Sequence, residues 1–283
     1  AYPQIAEILK EMGCTRLLVE STRMTVSTYN SLKGVLKKIP ISTDTTLDTL
    51  INTLRSVKNR DEIRSILEAQ LIAESAFRHI LKYIKVGITE KEIALELDFY
   101  MLRHGGEGLS FETIAVSGAN SSMPHGVPSN KKIEKGDFIT MDFGTIINGY
   151  HSDMTRTVAV GFATDEMKNV YDTVLKAQQN CLNNLKAGIS CKDGDEFARS
   201  VIRDAGYGQY FTHSTGHGVG VEIHEFPNLS PASDSILQVG NIVTVEPGIY
   251  IPEKFGVRIE DMALITENGC RNLTSAPKDL IIL

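Results

Sequence analysis

The stretch from Ile139 to Thr157 constrains this chain more than any other. Asn148-Gly149 stands between two β-rich runs, the strongest short-range sign of a two-residue type I′ hairpin. A turn centred there sets Asp142 opposite Thr155 and Asp153 opposite Gly144. Because side chains alternate across a strand, the two aspartates share a face as diagonal neighbours, about 7 Å apart at Cβ. At that spacing two carboxylates can hold one cation, and in a dry site without one they cannot both stay ionised. Solvated aspartates on an exposed hairpin are the bland alternative.

Around this hairpin the pattern switches between periods. Ile63, Ile66, Leu67, Ile72, Ala76, Phe77, Ile80 and Leu81 mark a long amphipathic helix from Ser56 to Tyr83. Thr89-Glu90-Lys91-Glu92 reads as a capping box that opens a second helix, running to about His104. Strands are expected at 111–116, 138–143 and 155–160, helices at 165–185 and 193–205, and strands again at 241–245 and 257–266. Helices laid beside strands joined by tight turns fit an α+β domain around an antiparallel sheet. Residues 1–55 read as a compressed α/β segment: a helix with Ile5, Ile8, Leu9 and Met12 on one face, a strand at 17–19, a helix at 29–36 and a strand at 39–41. The expected domains are therefore 1–55 and 56–283.

Composition narrows the function classes. Acidic residues outnumber basic ones 35 to 29, a net charge of -6, and no block of five like charges occurs. A nucleic-acid groove or a polybasic membrane surface is not expected, and no apolar run approaches the roughly 20 residues of a membrane span. Cys14, Cys181, Cys191 and Cys270 form no Cys-x-x-Cys pair, so reduced thiols are expected rather than a zinc knuckle or redox motif. Without a secretory signal pattern the expected compartment is cytoplasmic. An initial Ala in place of Met reads as a trimmed product or a fragment.

Two more phrases carry candidate chemistry. Phe211 to Glu225 holds His213, His217 and His224, spaced by glycines that let backbone and ligand approach closely. A dinucleotide loop fits poorly, since Gly216-x-Gly218-x-Gly220 lacks the third-glycine spacing and precedes a β-like run. In Val243-Thr-Val245-Glu246-Pro247 the alternation points Glu246 away from the valines, and in Val257-Arg258-Ile259-Glu260-Asp261 the pair Arg258 and Glu260 share a face. Each glutamate alone could be a surface ion pair. Together, Asp142, Asp153, His217, Glu246 and Glu260 make an oxygen-rich set suited to two divalent ions of the manganese, cobalt or zinc kind.

These phrases, in the order Asp, Asp, His, Glu, Glu, resemble the metallopeptidases of the pita-bread fold over about residues 56–283. His213, four residues before His217, and Gly-x-Arg258-x-Glu260-Asp261 resemble the proline-specific branch, which includes aminopeptidase P and prolidase. The resemblance implies that Asp142 chelates one ion, that Asp153 and Glu260 bridge two, and that His217 and Glu246 complete the second. Mn²⁺ is the expected metal, with Co²⁺ or Zn²⁺ as alternatives. It further implies Glu246 as general acid-base, His213 and His224 as substrate contacts, His125 as a substrate histidine, and Arg258 as support for the carboxylates or partner of the substrate carboxylate. The short N-terminal segment resembles only the last part of the family's N-terminal domain, and a homodimer is the assembly considered. The expected activity is release of the N-terminal residue from Xaa-Pro peptides, with an Xaa-Pro dipeptidase as alternative and a catalytically silent scaffold as the rival of another class.

Overall fold

A computed structural model describes all residues, 1–283. The chain divides into two compact units, Ala1–Arg55 and Ser56–Leu283.

The first unit contains α1 (Tyr2–Glu11), β1 (Leu17–Leu18), α2 (Val26–Val35), β2 (Ile41–Ser42) and α3 (Thr46–Ser56). The two short strands pair in parallel, and Val19, Leu32 and Leu36 are buried. Helix α3 is not among the elements expected, although Leu47, Leu50, Ile51 and Leu54 have helical spacing; Leu50 and Leu54 are exposed. Asp48 on α3 accepts hydrogen bonds from the backbone and hydroxyl groups of Ser21 and Thr22, tying the helix to the loop after β1.

The second unit begins with α4 (Arg60–Tyr83) and α5 (Glu90–Arg103). Both helices start on a capping box: Asn59 with Glu62, and Thr89 with Glu92. Strands β3 (Ile114–Ser117), β4 (Phe138–Phe143), β5 (Ile146–Ile147), β6 (Tyr150–His151) and β7 (Met154–Ala159) follow. Then come α6 (Asp165–Asn184), α7 (Cys191–Asp204), β8 (Gly216–Gly218), β9 (Glu225–Leu229), β10 (Ile242–Val245), β11 (Gly248–Ile251), β12 (Phe255–Arg258), β13 (Asp261–Ile265) and β14 (Cys270–Asn272). No helix is long and apolar enough to cross a membrane.

A helix pair followed by antiparallel strands thus occurs twice, the α+β architecture expected. The two larger sheets have the orders β3-β4-β7 and β14-β13-β10-β8-β9, and β5-β6 and β11-β12 are two-stranded pairs. Helices α4 and α5 pack Phe77, Ile80, Ile93, Leu97 and Met101 with Ile139, Met141 and Val158 of the first sheet. Helices α6 and α7 pack Val170, Val174, Ala198 and Ile202 with Val243, Val245 and Ala263 of the second. Each sheet exists because its helix pair gives one face a dry partner.

The hairpin register is the one read from the sequence: Asp142 pairs with Thr155 and Ile147 with Tyr150. Asn148 and Gly149 both take positive φ, 51° and 75°, as a type I′ turn demands. The run expected as one strand from 257 to 266 is two. Strand β12 pairs with β11, whereas β13 pairs with β10 and β14, so the chain changes sheets at Ile259-Glu260. At that crossing the Glu260 backbone N–H donates to the Thr155 carbonyl at 3.1 Å, which sets Glu260 beside the hairpin.

Candidate metal centre

The ends of these strands converge on one cavity of about 550 Å³. Asp142 comes from β4, Asp153 from the residue before β7, His217 from β8, Glu246 from the residue after β10, and Glu260 from the crossing between β12 and β13. All five line the cavity, as do His125, His213, His224 and Arg258. Every candidate site residue of the sequence reading is therefore brought to one place. His79, His104 and His151 are not among the lining residues.

Donor atoms of Asp153, His217 and Glu260 lie within 4.8 Å of one another. His217 Nδ1 is 3.1 Å from the Gly218 carbonyl, which can only accept, so this nitrogen carries the proton and Nε2 presents its lone pair. Nε2 then faces Asp153 Oδ2 at 3.5 Å and Glu246 Oε1 at 3.3 Å. Burial holds the ring below its ordinary pKa, so the imidazole is neutral and its Nε2 lone pair faces the two carboxyl groups. Gly216 allows this placement, because a Cβ there would run into the Thr244 carbonyl. The Thr244 hydroxyl in turn accepts from His217 N at 3.0 Å and donates to Glu246 Oε1 at 3.0 Å.

The carboxylates behave as a set that lacks charge compensation. Burial, reinforced by Glu260, Asp142 and Glu246, raises Asp153 well above the usual range. Burial with Glu246 and Asp142 does the same to Glu260, and burial pushes Glu246 up to about 7. Asp142 Oδ1 is buried without a hydrogen-bond partner. A lone pair on imidazole, an orphaned carboxylate oxygen and mutually repelling acids fit hard or borderline divalent cations, and the residues can hold them.

Arg258 is the one Lys or Arg side chain lining the cavity. It donates through Nη2 to Asp142 Oδ2 at 2.6 Å, through Nε to Thr155 Oγ1 at 3.1 Å, and through Nη1 to Tyr250 Oη at 2.8 Å and the Pro124 carbonyl at 3.1 Å. Of its two expected roles the geometry has the first, support of the carboxylates. Thr155 passes that support on, donating to Glu260 Oε2 at 2.7 Å.

His213 lines the cavity and is bonded within the protein. Its Nδ1–H donates to the Ser214 carbonyl at 2.8 Å, and its Nε2 accepts from Tyr250 Oη at 2.8 Å, so both ring nitrogens are engaged within the protein. Burial and Arg258 hold it neutral, lowered to about 4. Tyr250 is the residue the sequence reading missed. It sits in the apolar strand Gly248–Ile251, where nothing in the local pattern distinguishes it from a core aromatic. The His224 ring lies against that of His217, tilted by 58° with centroids 4.3 Å apart, and His125 is exposed on the loop before β4.

Comparison with known proteins identifies relatives of the chain. The model of "Metallopeptidase family M24" matches residues 64–267. An Xaa-Pro dipeptidase of Pyrococcus furiosus is 40% identical over 280 residues, covering 99% of this chain and 79% of the relative. Among solved structures, an Xaa-Pro dipeptidase from Bacillus anthracis matches with a TM-score of 0.96 and 44% identity, covering 100% of this chain and 78% of that one. An X-Pro aminopeptidase from Thermotoga maritima matches with a TM-score of 0.93 and 38% identity, covering 100% and 79%.

Proposed function

The chain belongs to metallopeptidase family M24 and has its pita-bread fold, and from that premise we propose that it is an Xaa-Pro dipeptidase working with two divalent ions, Mn²⁺ first among them. One observation carries the reading: the five-residue set Asp142, Asp153, His217, Glu246 and Glu260 lines a single cavity in a chain whose similarity to Xaa-Pro dipeptidases spans nearly its full length. The sequence alone favoured an Xaa-Pro aminopeptidase with the dipeptidase as alternative. The relatives support the alternative better, and the aminopeptidase stays as second reading because of the Thermotoga maritima structure.

In this reading Asp142, Asp153 and Glu260 with His217 and Glu246 hold the ions, four carboxylate charges matching two dications. Bound ions supply Lewis acidity for the scissile carbonyl and for the attacking water. Glu246 takes the proton of that water and returns it to the leaving proline nitrogen, which has no hydrogen of its own before cleavage. A carboxyl has two oxygens, so one can face an ion while the other takes the proton. His224 is held below its ordinary pKa by burial and by His217. As neutral imidazole it donates a hydrogen bond to the oxygen of the tetrahedral intermediate. His125 contacts the substrate from its loop, and Arg258 holds Asp142 in place.

The test is hydrolysis of Xaa-Pro and Xaa-Pro-Yaa peptides by metal-loaded protein. Faster cleavage of the dipeptide supports the dipeptidase. Faster cleavage of the longer peptide moves the reading to the aminopeptidase. Cleavage of neither, at verified metal content, defeats both.

A further inference from the structure

Outside the cavity, the most fully satisfied polar cluster of α7 grips the segment that carries His213. Asp195 and Arg199 stand one turn apart on that helix. Arg199 Nε donates to Asp195 Oδ2 at 2.6 Å and Nη2 to Oδ1 at 2.9 Å, a two-pronged pair. The Asp195 side chain is 1% exposed and that of Arg199 22%. The pair does not stop at itself. Arg199 Nη1 donates to the Phe211 carbonyl at 3.2 Å and Nη2 to the His213 carbonyl at 2.7 Å, while Asp195 Oδ1 accepts from Thr215 N at 2.9 Å. Three alternate residues are thereby held at their backbone. The guanidinium lies 4.2 Å from the Phe211 ring centroid, and the Phe211 ring meets the His213 imidazole edge-on at 5.1 Å.

We propose that Asp195 and Arg199 are a positioning pair that fixes the orientation of the His213 imidazole for the reaction in the neighbouring cavity. Neither residue lines that cavity, so neither touches substrate. Burying an ion pair is a poor way to gain stability, since desolvation offsets most of the attraction. What this pair does supply is direction. With the His213 carbonyl fixed, the ring can hold the Ser214 carbonyl on one nitrogen and the Tyr250 hydroxyl on the other. Tyr250 accepts from Arg258, which holds Asp142. A point charge cannot replace the fork: Lys at 199 keeps a partner for Asp195 but cannot serve two carboxylate oxygens and two carbonyls together.

The kinetic test rests on the Xaa-Pro reading, and a spectroscopic one does not. Arg199→Met keeps the stem packed on Phe211 and removes the donors. It should lower kcat on an Xaa-Pro dipeptide by about tenfold or more, the scale on which misplacement is felt, with KM and metal content held. In a His213→Gln background the same change should cost less than about twofold, because a residue acting only through His213 has nothing left to position. Equal factors in the two backgrounds, or an unchanged kcat, overturn the proposal. Where Arg199→Met does not fold, Arg199→Lys carries the same cycle and the same expectations. Independently of turnover, the imidazole N–H proton of His213, assigned by its loss in His213→Gln, should be a slowly exchanging NMR signal in the purified wild-type protein and exchange rapidly in either Arg199 variant. A protected signal in both variants overturns the proposal even if no Xaa-Pro peptide is cleaved.

Discussion

Replacing Glu246 by Gln removes one carboxyl whose proton affinity differs between folded and unfolded chain, and the difference is readable without turnover. In metal-free protein burial, opposed by Arg258 and reinforced by Asp142, pushes Glu246 from 4.5 to about 7. The folded state then holds the proton more tightly than the unfolded chain. Its contribution to stability is fully present below the unfolded value and is lost as pH rises through about 7. Each tenfold in proton affinity is worth about 1.4 kcal/mol, so the loss is about 3 kcal/mol. Histidines slope the other way: His213, lowered to about 4 by burial, adds stability as pH rises toward the unfolded value of 6.5. Subtracting the two proteins cancels that common term. Urea unfolding in chelator, from about pH 4.5 to about pH 8, should show Glu246→Gln gaining about 3 kcal/mol on wild type. Saturating Mn²⁺ should offset most of that gain, since ligand at a hundred times its Kd adds about 2.7 kcal/mol to a protein that binds it only when folded. A flat difference in chelator, or one of opposite slope, refutes the electrostatic account of the site.

Two other substitutions probe the centre from different sides. His217→Ala should weaken metal binding by at least about tenfold, whereas His224→Ala should leave metal content intact and lower kcat, and metal analysis showing equal loss in both would mean the ligand is misplaced. Arg156→Met should destabilise the protein by about 3–5 kcal/mol, the cost of stranding a buried charge, because Arg156 pairs with Asp261 at 2.7 Å and also donates to the Glu260 carbonyl at 2.6 Å. Thermal unfolding should locate the loss, and an unchanged midpoint would mean that Lys278, 2.8 Å from the same carboxylate, suffices alone.

What could be read in advance divides along a physical line. Asp142 and Asp153 were legible because a type I′ turn leaves one register, and register decides which side chains share a face. Glu246 was legible because alternation alone separates it from Val243 and Val245. Tyr250 was not, since a hydroxyl in a strand of apolar neighbours shows its purpose only once β11 pairs with β12 and sets Arg258 within 2.8 Å. The break at Ile259-Glu260 was hidden for the same reason: a run of alternating residues looks continuous until two sheets compete for its ends. In the sequence Asp195 and Arg199 are one more helical pair four residues apart, and only the fold reveals that their partners are backbone groups of another segment. Ligands to a metal must carry their chemistry in the side chain, so they stand out in a sequence. Groups that position those ligands do so through backbone atoms and hydroxyls that almost any sequence supplies, and their roles become visible only when the fold brings them into contact.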